Sequence, residues 1–286
     1  MLNGGLVSIK EALNSLKPTE QKVAKYILEH PEQVVNISVQ KLAELAGVSE
    51  ATIVRLARSL NLKGYQELKL RIAADLATKP KYDTSSYQEI QIDGSIRSLI
   101  DSISHNNMQS IQDTMTVLSQ ADVGRAIEAL SGARKINVFG VGASAVIAED
   151  FKQKLTRINR WCETGFDFNS AATLAANMTE QDVVFGISYS GQTADIIDAL
   201  QIAKANGAKV VSLTKFGSNP VADAAHIRLF TSSLEKSIRS GAMASRIAQL
   251  NVIDILYVGI ASKDYDESIQ SLERTRQAVS KAKRNG

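Results

Sequence analysis

The chain has 286 residues, of which 44% are hydrophobic and 22% charged, with a net charge of only +3. That length points to about two domains and a sizeable buried core. No apolar run approaches the roughly 18 residues that span a bilayer, and no charged-then-apolar leader opens the chain, so no membrane partner is expected and the cytoplasm is the expected location. Cys162 is the single cysteine, which excludes an internal disulfide and a cysteine-built metal site. The three histidines stand apart at 30, 105 and 226, so no metal and no other cofactor is expected. Charge is unevenly placed: residues 1–80 hold 11 Lys or Arg against 8 Asp or Glu, and the rest of the chain is neutral. A small basic excess argues for nucleic acid only beside a motif.

Residues 1–77 read as all helix. Ile9, Ala12, Leu13 and Leu16 keep helical spacing, Thr19 is placed to cap a second helix, and Val23, Ile27 and Leu28 supply its apolar face before Pro31 ends it. Ser38 can cap a helix whose face is Val39, Leu42, Ala43 and Ala46. Gly47 then permits a left-handed turn, Ser49 caps the next helix, and Ile53, Leu56, Ala57 and Leu60 form that helix's buried side. Two short helices joined by a glycine turn are a helix-turn-helix, in which the start of the second helix reaches base edges. The expected DNA-facing residues are Ser49, Ala51, Thr52 and Arg55, beside Glu50, with Arg58, Lys63 and Lys69 on the phosphate backbone. Arg55 suits guanine or phosphate, and Thr52 a thymine methyl or phosphate.

The stretch Leu42-Ala43-Glu44-Leu45-Ala46-Gly47-Val48-Ser49, then Arg55-Leu56-Ala57-Arg58 and Leu62-Lys63-Gly64-Tyr65-Gln66-Glu67-Leu68-Lys69, resembles the helix-turn-helix of RpiR-type bacterial transcription regulators. Generic helix-turn-helix modules do not need the Gly-Tyr-Gln-Glu-Leu-Lys tail. Here Tyr65 is expected to pack under the recognition helix and to start a helix running through Ala77.

Residues 78–104 are expected to form a polar linker and the start of a connecting helix. That helix would set Leu99, Ile103, Met108, Ile111, Met115 and Leu118 on its apolar side and leave His105 solvated. From 105 to 286, apolar runs at Lys135–Phe139, Arg160–Cys162, Asp182–Ile187, Lys209–Leu213 and Ile227–Phe230 alternate with helical patterns, and a long helix spans about Ser240 to Ser262. The fold class expected is therefore two-domain: an all-α helix-turn-helix domain, then an α/β domain with a doubly wound, parallel, five-stranded sheet.

Two loops stand out. Gly140-Val141-Gly142-Ala143-Ser144-Ala145 follows the first strand, and Ser188-Tyr189-Ser190-Gly191-Gln192-Thr193 follows the third. Each joins a strand to a helix, where backbone N–H groups and the helix dipole favour an anion. The first loop also reads as G-x-G-x-x-A, with Glu163 at the distance of a ribose contact, which keeps a dinucleotide-sensing regulator as an alternative. A second hydroxyl-rich loop with no lysine favours a small phosphorylated ligand instead.

The pair of loops resembles the sugar isomerase (SIS) domain over most of residues 120–265. The resemblance implies effector binding by Gly140, Gly142, Ser144, Ser188, Ser190, Gly191 and Thr193, which would hold the phosphate of a phosphosugar, and by Glu235, which would hydrogen-bond sugar hydroxyls. A helix-turn-helix before this domain is the RpiR architecture, closest to MurR-like members that sense amino-sugar phosphates such as N-acetylmuramic acid 6-phosphate. It implies operator DNA as partner, a homodimer or homotetramer, and no enzymatic turnover. The alternative is an isomerase using Glu235 as base, with Glu149 and His226 the other candidate bases. Arg274, Arg276, Lys281, Lys283 and Arg284 read as a solvated basic tail.

Overall fold

A computed structural model describes residues 4–77, 95–233 and 242–282. It separates into two compact units. One contains Met1–Val117 with Lys215–Asn219 and Thr231–Ser245, the other Leu118–Thr214 with Pro220–Phe230 and Arg246–Gly286. Most of the expected linker and Glu235 lie outside the described residues.

The first unit contains α1 (Gly5–Ala12), α2 (Pro18–Glu29), α3 (Pro31–Val34), α4 (Val39–Ala46), α5 (Glu50–Ser59), α6 (Tyr65–Ala77) and α7 (Ile96–Val117). α2 starts one residue before Thr19, with Pro18 in its first turn, where a missing N–H costs nothing. Ile9, Val23, Ala24, Ile27, Leu42, Ile53, Leu56, Leu68 and Ile72 are fully buried, so the faces read from helical spacing point inward as expected. The Ser38 hydroxyl accepts from the Lys41 N–H at 3.2 Å and caps α4. Gly47 closes that helix at φ 64°, a region costly for residues with a Cβ, and the Val48 N–H donates back to the Ala43 carbonyl. Tyr65 is buried, and its hydroxyl faces the carbonyls of Val34 and Ile37 at 3.2 and 3.1 Å.

α7 departs from its apolar reading. Met108 and Met115 are 57% and 58% exposed, whereas Ser102, Ser110, Asp113 and Thr114 are buried. The reason is hydrogen bonding. Ser110 donates to the Ala244 carbonyl at 3.1 Å, and Thr114 both donates to the Ser232 carbonyl and accepts from the Ser232 N–H. A helix that meets backbone rather than side chains buries its hydroxyls. His105 is half-buried, with its Nε2 shielded from solvent.

The second unit begins with α8 (Gln120–Ser131) and continues β1 (Ile136–Gly140), α9 (Ala143–Arg157), β2 (Cys162–Gly165), α10 (Phe168–Ala176), β3 (Val183–Ile187), α11 (Ala194–Ala205), β4 (Lys209–Lys215), α12 (Pro220–Ala224), β5 (Ile227–Thr231), α13 (Met243–Lys263) and α14 (Tyr265–Ala282). The five strands are parallel in the order β2-β1-β3-β4-β5. β2 starts later than its apolar run because Asn159 turns at φ 59° and the Arg160 N–H still closes α9 on Leu155. α12 was not foreseen from the pattern.

Alternate residues of each strand feed two cores. Ile136, Val138, Phe185, Ile187, Val211 and Leu213 share one core with Phe151 of α9 and with Val252, Ile253 and Leu256 of α13. Phe139, Val184 and Val210 pack with Ala171, Ile196, Ala199 and Leu200 on the other face. Among the described residues α13 alone is long and apolar enough to cross a membrane, yet it supplies fully buried core residues.

His226 precedes β5, and its Nδ1 accepts from the Val210 N–H at 2.9 Å. Burial, then the charges of Lys204 and Lys209, push its pKa below the ordinary value. The unfolded chain therefore takes up this proton first. The clip is intact above about pH 6.5 and its contribution is lost as pH falls through the lower folded pKa. Urea unfolding at stepped pH should show stability declining from pH 7.5 to 5.5. His226→Asn, whose Oδ1 can replace Nδ1, should flatten that slope.

Candidate functional site

The recognition helix α5 presents Ser49, Glu50, Ala51, Arg55 and Arg58 on an exposed face, and Lys63 is exposed beyond it. Thr52 corrects the expectation of a DNA-facing residue, being only 3% exposed. It lies one turn before Leu56 and shares that residue's inward side. Its hydroxyl lies 3.0 Å from the Ser49 hydroxyl and accepts from Arg55 Nη2 at 2.9 Å. The guanidinium of Arg55 is thus held from below by Thr52 and faces outward. Lys69 was expected on phosphate, but its ammonium donates to the Ile37 carbonyl at 2.9 Å, which commits it to the protein. Glu67, in the first turn of α6, accepts from the Lys63 N–H and from Arg71.

The strand order of the second unit reverses between β1 and β3. β1 leads out to β2 on one side, while β3, β4 and β5 follow on the other. Ligands of open parallel sheets bind at the carboxyl ends of strands at such a switch point. Gly140 pairs with Ile187, so the loops that follow β1 and β3 leave the sheet side by side at one height. The structure therefore brings together Gly140, Gly142, Ser144, Ser188, Ser190, Gly191 and Thr193.

Each loop is shaped by its own residues. A Cβ on Gly140 would lie 2.6 Å from the Ser144 carbonyl oxygen, so only glycine lets the first turn of α9 sit this close to β1. Ser144 is buried within that turn. In the second loop the Ser188 side chain is 3% exposed and accepts from the Gly191 N–H at 3.1 Å. It also lies 2.9 Å from the Thr193 hydroxyl. Ser188 is an internal brace, whereas Ser190 is exposed and accepts from the Gln192 N–H at 3.2 Å. A further brace escaped the sequence reading: the Val221 N–H of α12 donates to the Gly191 carbonyl at 3.1 Å. Asn219-Pro220, a turn-then-helix pair, was its only signal.

The helix starts differ in a telling way. α8 and α10 carry side-chain caps from Ser119 and Asp167. α9 and α11, which begin at the two loops, have none from Gly142 or Thr193. The Ser144 and Ala145 N–H groups close on the Val141 and Gly142 carbonyls, and the Ile196 N–H on the Thr193 carbonyl, while the dipoles of both helices add positive potential over the same edge.

The candidate bases fare poorly. Glu149 accepts from the Thr164 hydroxyl and from Lys152 at 3.3 Å; the Thr164 bond, then Lys152, hold its carboxyl below the usual range. A carboxylate stabilised in its charged form is a weak base. His226 sits at the amino end of β5, on the edge away from the loops. Cys162 is buried and its thiol is pushed up to about 12, which makes it inert. Glu235 lies outside the described residues. No group of metal-ligating side chains occurs among the described residues.

Comparison with known proteins matches both parts. The model of the helix-turn-helix domain of the rpiR family covers residues 3–79, and that of the SIS domain covers residues 129–259. An uncharacterised HTH-type transcriptional regulator of Caldanaerobacter subterraneus is 45% identical over 286 residues, covering 98% of each chain. The HTH-type transcriptional regulator HexR of Pseudomonas aeruginosa is 32% identical over 274 residues, covering 96% of this chain and 95% of its own. Among solved structures, the Vibrio vulnificus NanR protein complexed with ManNAc-6P is 27% identical with a TM-score of 0.60, covering 96% of this chain and 98% of its own. With near-complete coverage at 45% identity, a recognition helix in place and two loops meeting at the switch point of the sheet, the chain belongs to the RpiR family of helix-turn-helix transcriptional regulators that carry a SIS domain.

Proposed function

We propose that this regulator binds operator DNA through α5 and that a phosphorylated sugar, held by the loops after β1 and β3, sets its affinity. The observation that carries the reading is the pair of helix N-termini without side-chain caps, side by side at the switch point. One phosphate would take N–H groups from both helices, with the exposed Ser190 hydroxyl and Thr193 beside it. Ser144 and Ser188 would shape the loops, and Glu235 would read the sugar. The effector class we favour is an amino-sugar phosphate, with N-acetylmuramic acid 6-phosphate as first candidate and a role in amino-sugar catabolism. The NanR neighbour, solved with ManNAc-6P, supports that class. The assembly is a homodimer or homotetramer that places two recognition helices on a palindromic site. The chain binds its effector without turning it over, a reading supported by relatives named as transcriptional regulators.

Three outcomes follow. In a thermal-shift panel of hexose and amino-sugar 6-phosphates, one ligand at a hundredfold excess over its Kd should add about 2.7 kcal/mol of stability. Ser190→Ala or Thr193→Val should weaken it about tenfold or more, the loss of one charge-assisted hydrogen bond. Stabilisation by NAD alone would instead revive the dinucleotide reading.

In a band-shift assay on DNA upstream of its own gene, Arg55→Ala should cost about 1–3 kcal/mol of binding and relax sequence preference. Failure of the unaltered protein to bind that DNA at low salt would end the regulator reading. Prolonged incubation with the stabilising phosphosugar, followed by chromatography, should return it unchanged. Turnover abolished by Glu235→Gln would make the chain an isomerase.

A further inference from the structure

Within the first unit, α1 is tied on two sides. Towards the recognition helix, Asp75 of α6 accepts from the Gly4 and Leu6 N–H groups at 2.5 and 2.8 Å. Gly5 sits so close to α6 that an added Cβ would lie 3.0 Å from Arg71 Cβ and from the Ile72 nitrogen. α6 in turn packs on α5. On its other side α1 carries Glu11, which is only 7% exposed. Its Oε1 accepts from the Ser232 hydroxyl at 2.7 Å and from the Ser233 N–H at 2.9 Å. Ser232 and Ser233 are themselves buried and follow the carboxyl end of β5. Ser232 is also held through its backbone by Thr114 of α7.

A carboxylate is an unusual way to pin a helix. Burial raises the Glu11 pKa, against the opposing pull of Ser232 and Lys215, and Asp113 adds to the rise. An apolar residue in this place would hold α1 without the cost of desolvating a charge. What the carboxylate provides is directionality: two hydrogen bonds to one short segment, which survive only while that segment keeps its position. The segment is an extension of β5 past its carboxyl end, and the carboxyl edge of a parallel sheet is where its ligands bind.

We propose that Glu11 is the coupling residue of this regulator, transmitting the position of Ser232 and Ser233 after β5 through α1 and α6 to the recognition helix α5. The proposal rests on the phosphosugar reading above and adds the residue through which occupancy reaches the DNA-binding helices. Glu11 touches neither ligand. Its variants should therefore change the response of one site to the other and leave each separate affinity nearly intact, as a coupling free energy requires.

The test uses the full chain with DNA from upstream of its own gene, titrated by fluorescence anisotropy with and without N-acetylmuramic acid 6-phosphate or N-acetylmannosamine 6-phosphate. Sugar binding is measured separately by calorimetry. The unaltered protein should change its DNA affinity by about tenfold on adding the sugar that binds, within the usual range of such couplings. Glu11→Met, which has the length but no acceptor, and Ser232→Ala should bind that sugar within about threefold of the unaltered protein, yet lose most of the DNA response. Ser232→Thr, which keeps the hydroxyl, should restore it. Full retention of the response in both Glu11→Met and Ser232→Ala overturns the coupling role and leaves the phosphosugar reading standing. If the unaltered protein binds neither sugar, or binds one without any change at DNA, that reading fails and the coupling role falls with it.

Discussion

The register that sets Gly140 opposite Ile187 is the constraint on which the candidate ligand site depends. Parallel strands cannot be joined by a short turn, so each is followed by a helix that starts at the carboxyl edge. Where the winding reverses, between β1 and β3, two such starts stand side by side with no helix between them. Everything polar in the candidate site derives from that adjacency. Gly140 lets α9 begin against the strand, Ser188 knots the second loop through Gly191 and Thr193, and α12 braces it from outside through Val221. Moving the register by one residue would exchange the residues that face the two cores and carry the two loops to different heights.

The DNA-binding helix follows a parallel logic on a smaller scale. Gly47 sets the angle between α4 and α5, and the packed residues Leu42, Ile53 and Leu56 fix which side of α5 stays outside. The hydroxyls then divide. Ser49 remains exposed, while Thr52 turns inward and supports Arg55. A guanidinium anchored at one nitrogen loses less rotamer freedom on binding than a free one, which favours specific readout. In both sites a buried hydroxyl holds an exposed group in place, Thr52 under Arg55 and Ser188 beneath the loop that presents Ser190.

Sequence pattern was most legible where one periodicity ruled. The five strands, the alternation around them, the helix-turn-helix and the two loops could all be read from residue types alone, because side-chain faces repeat at 2.0 and 3.6 residues. The glycines at 47, 140, 142 and 191 were legible because their lack of a side chain has a local cost or a local use. The pattern failed at α7. Its methionines have helical spacing and its serines do not look like a core, yet Ser110 and Thr114 are buried and Met108 and Met115 are not. Their partners are backbone groups of Ser232 and Ala244, more than a hundred residues away, and no local periodicity encodes such a pairing.

The amino-acid sequence by itself determined the family and the fold class and marked out two candidate sites, since propensity, capping and phosphate-type loops act over a few residues at a time. Tertiary structure alone decided which members of those motifs face outward. It turned Thr52 from a base reader into a support, made Ser188 a brace, tied Lys69 to a carbonyl, and drew Glu11 onto Ser232 and Ser233. Those outcomes depend on which distant backbone group arrives within hydrogen-bonding distance, and only the packed chain sets that.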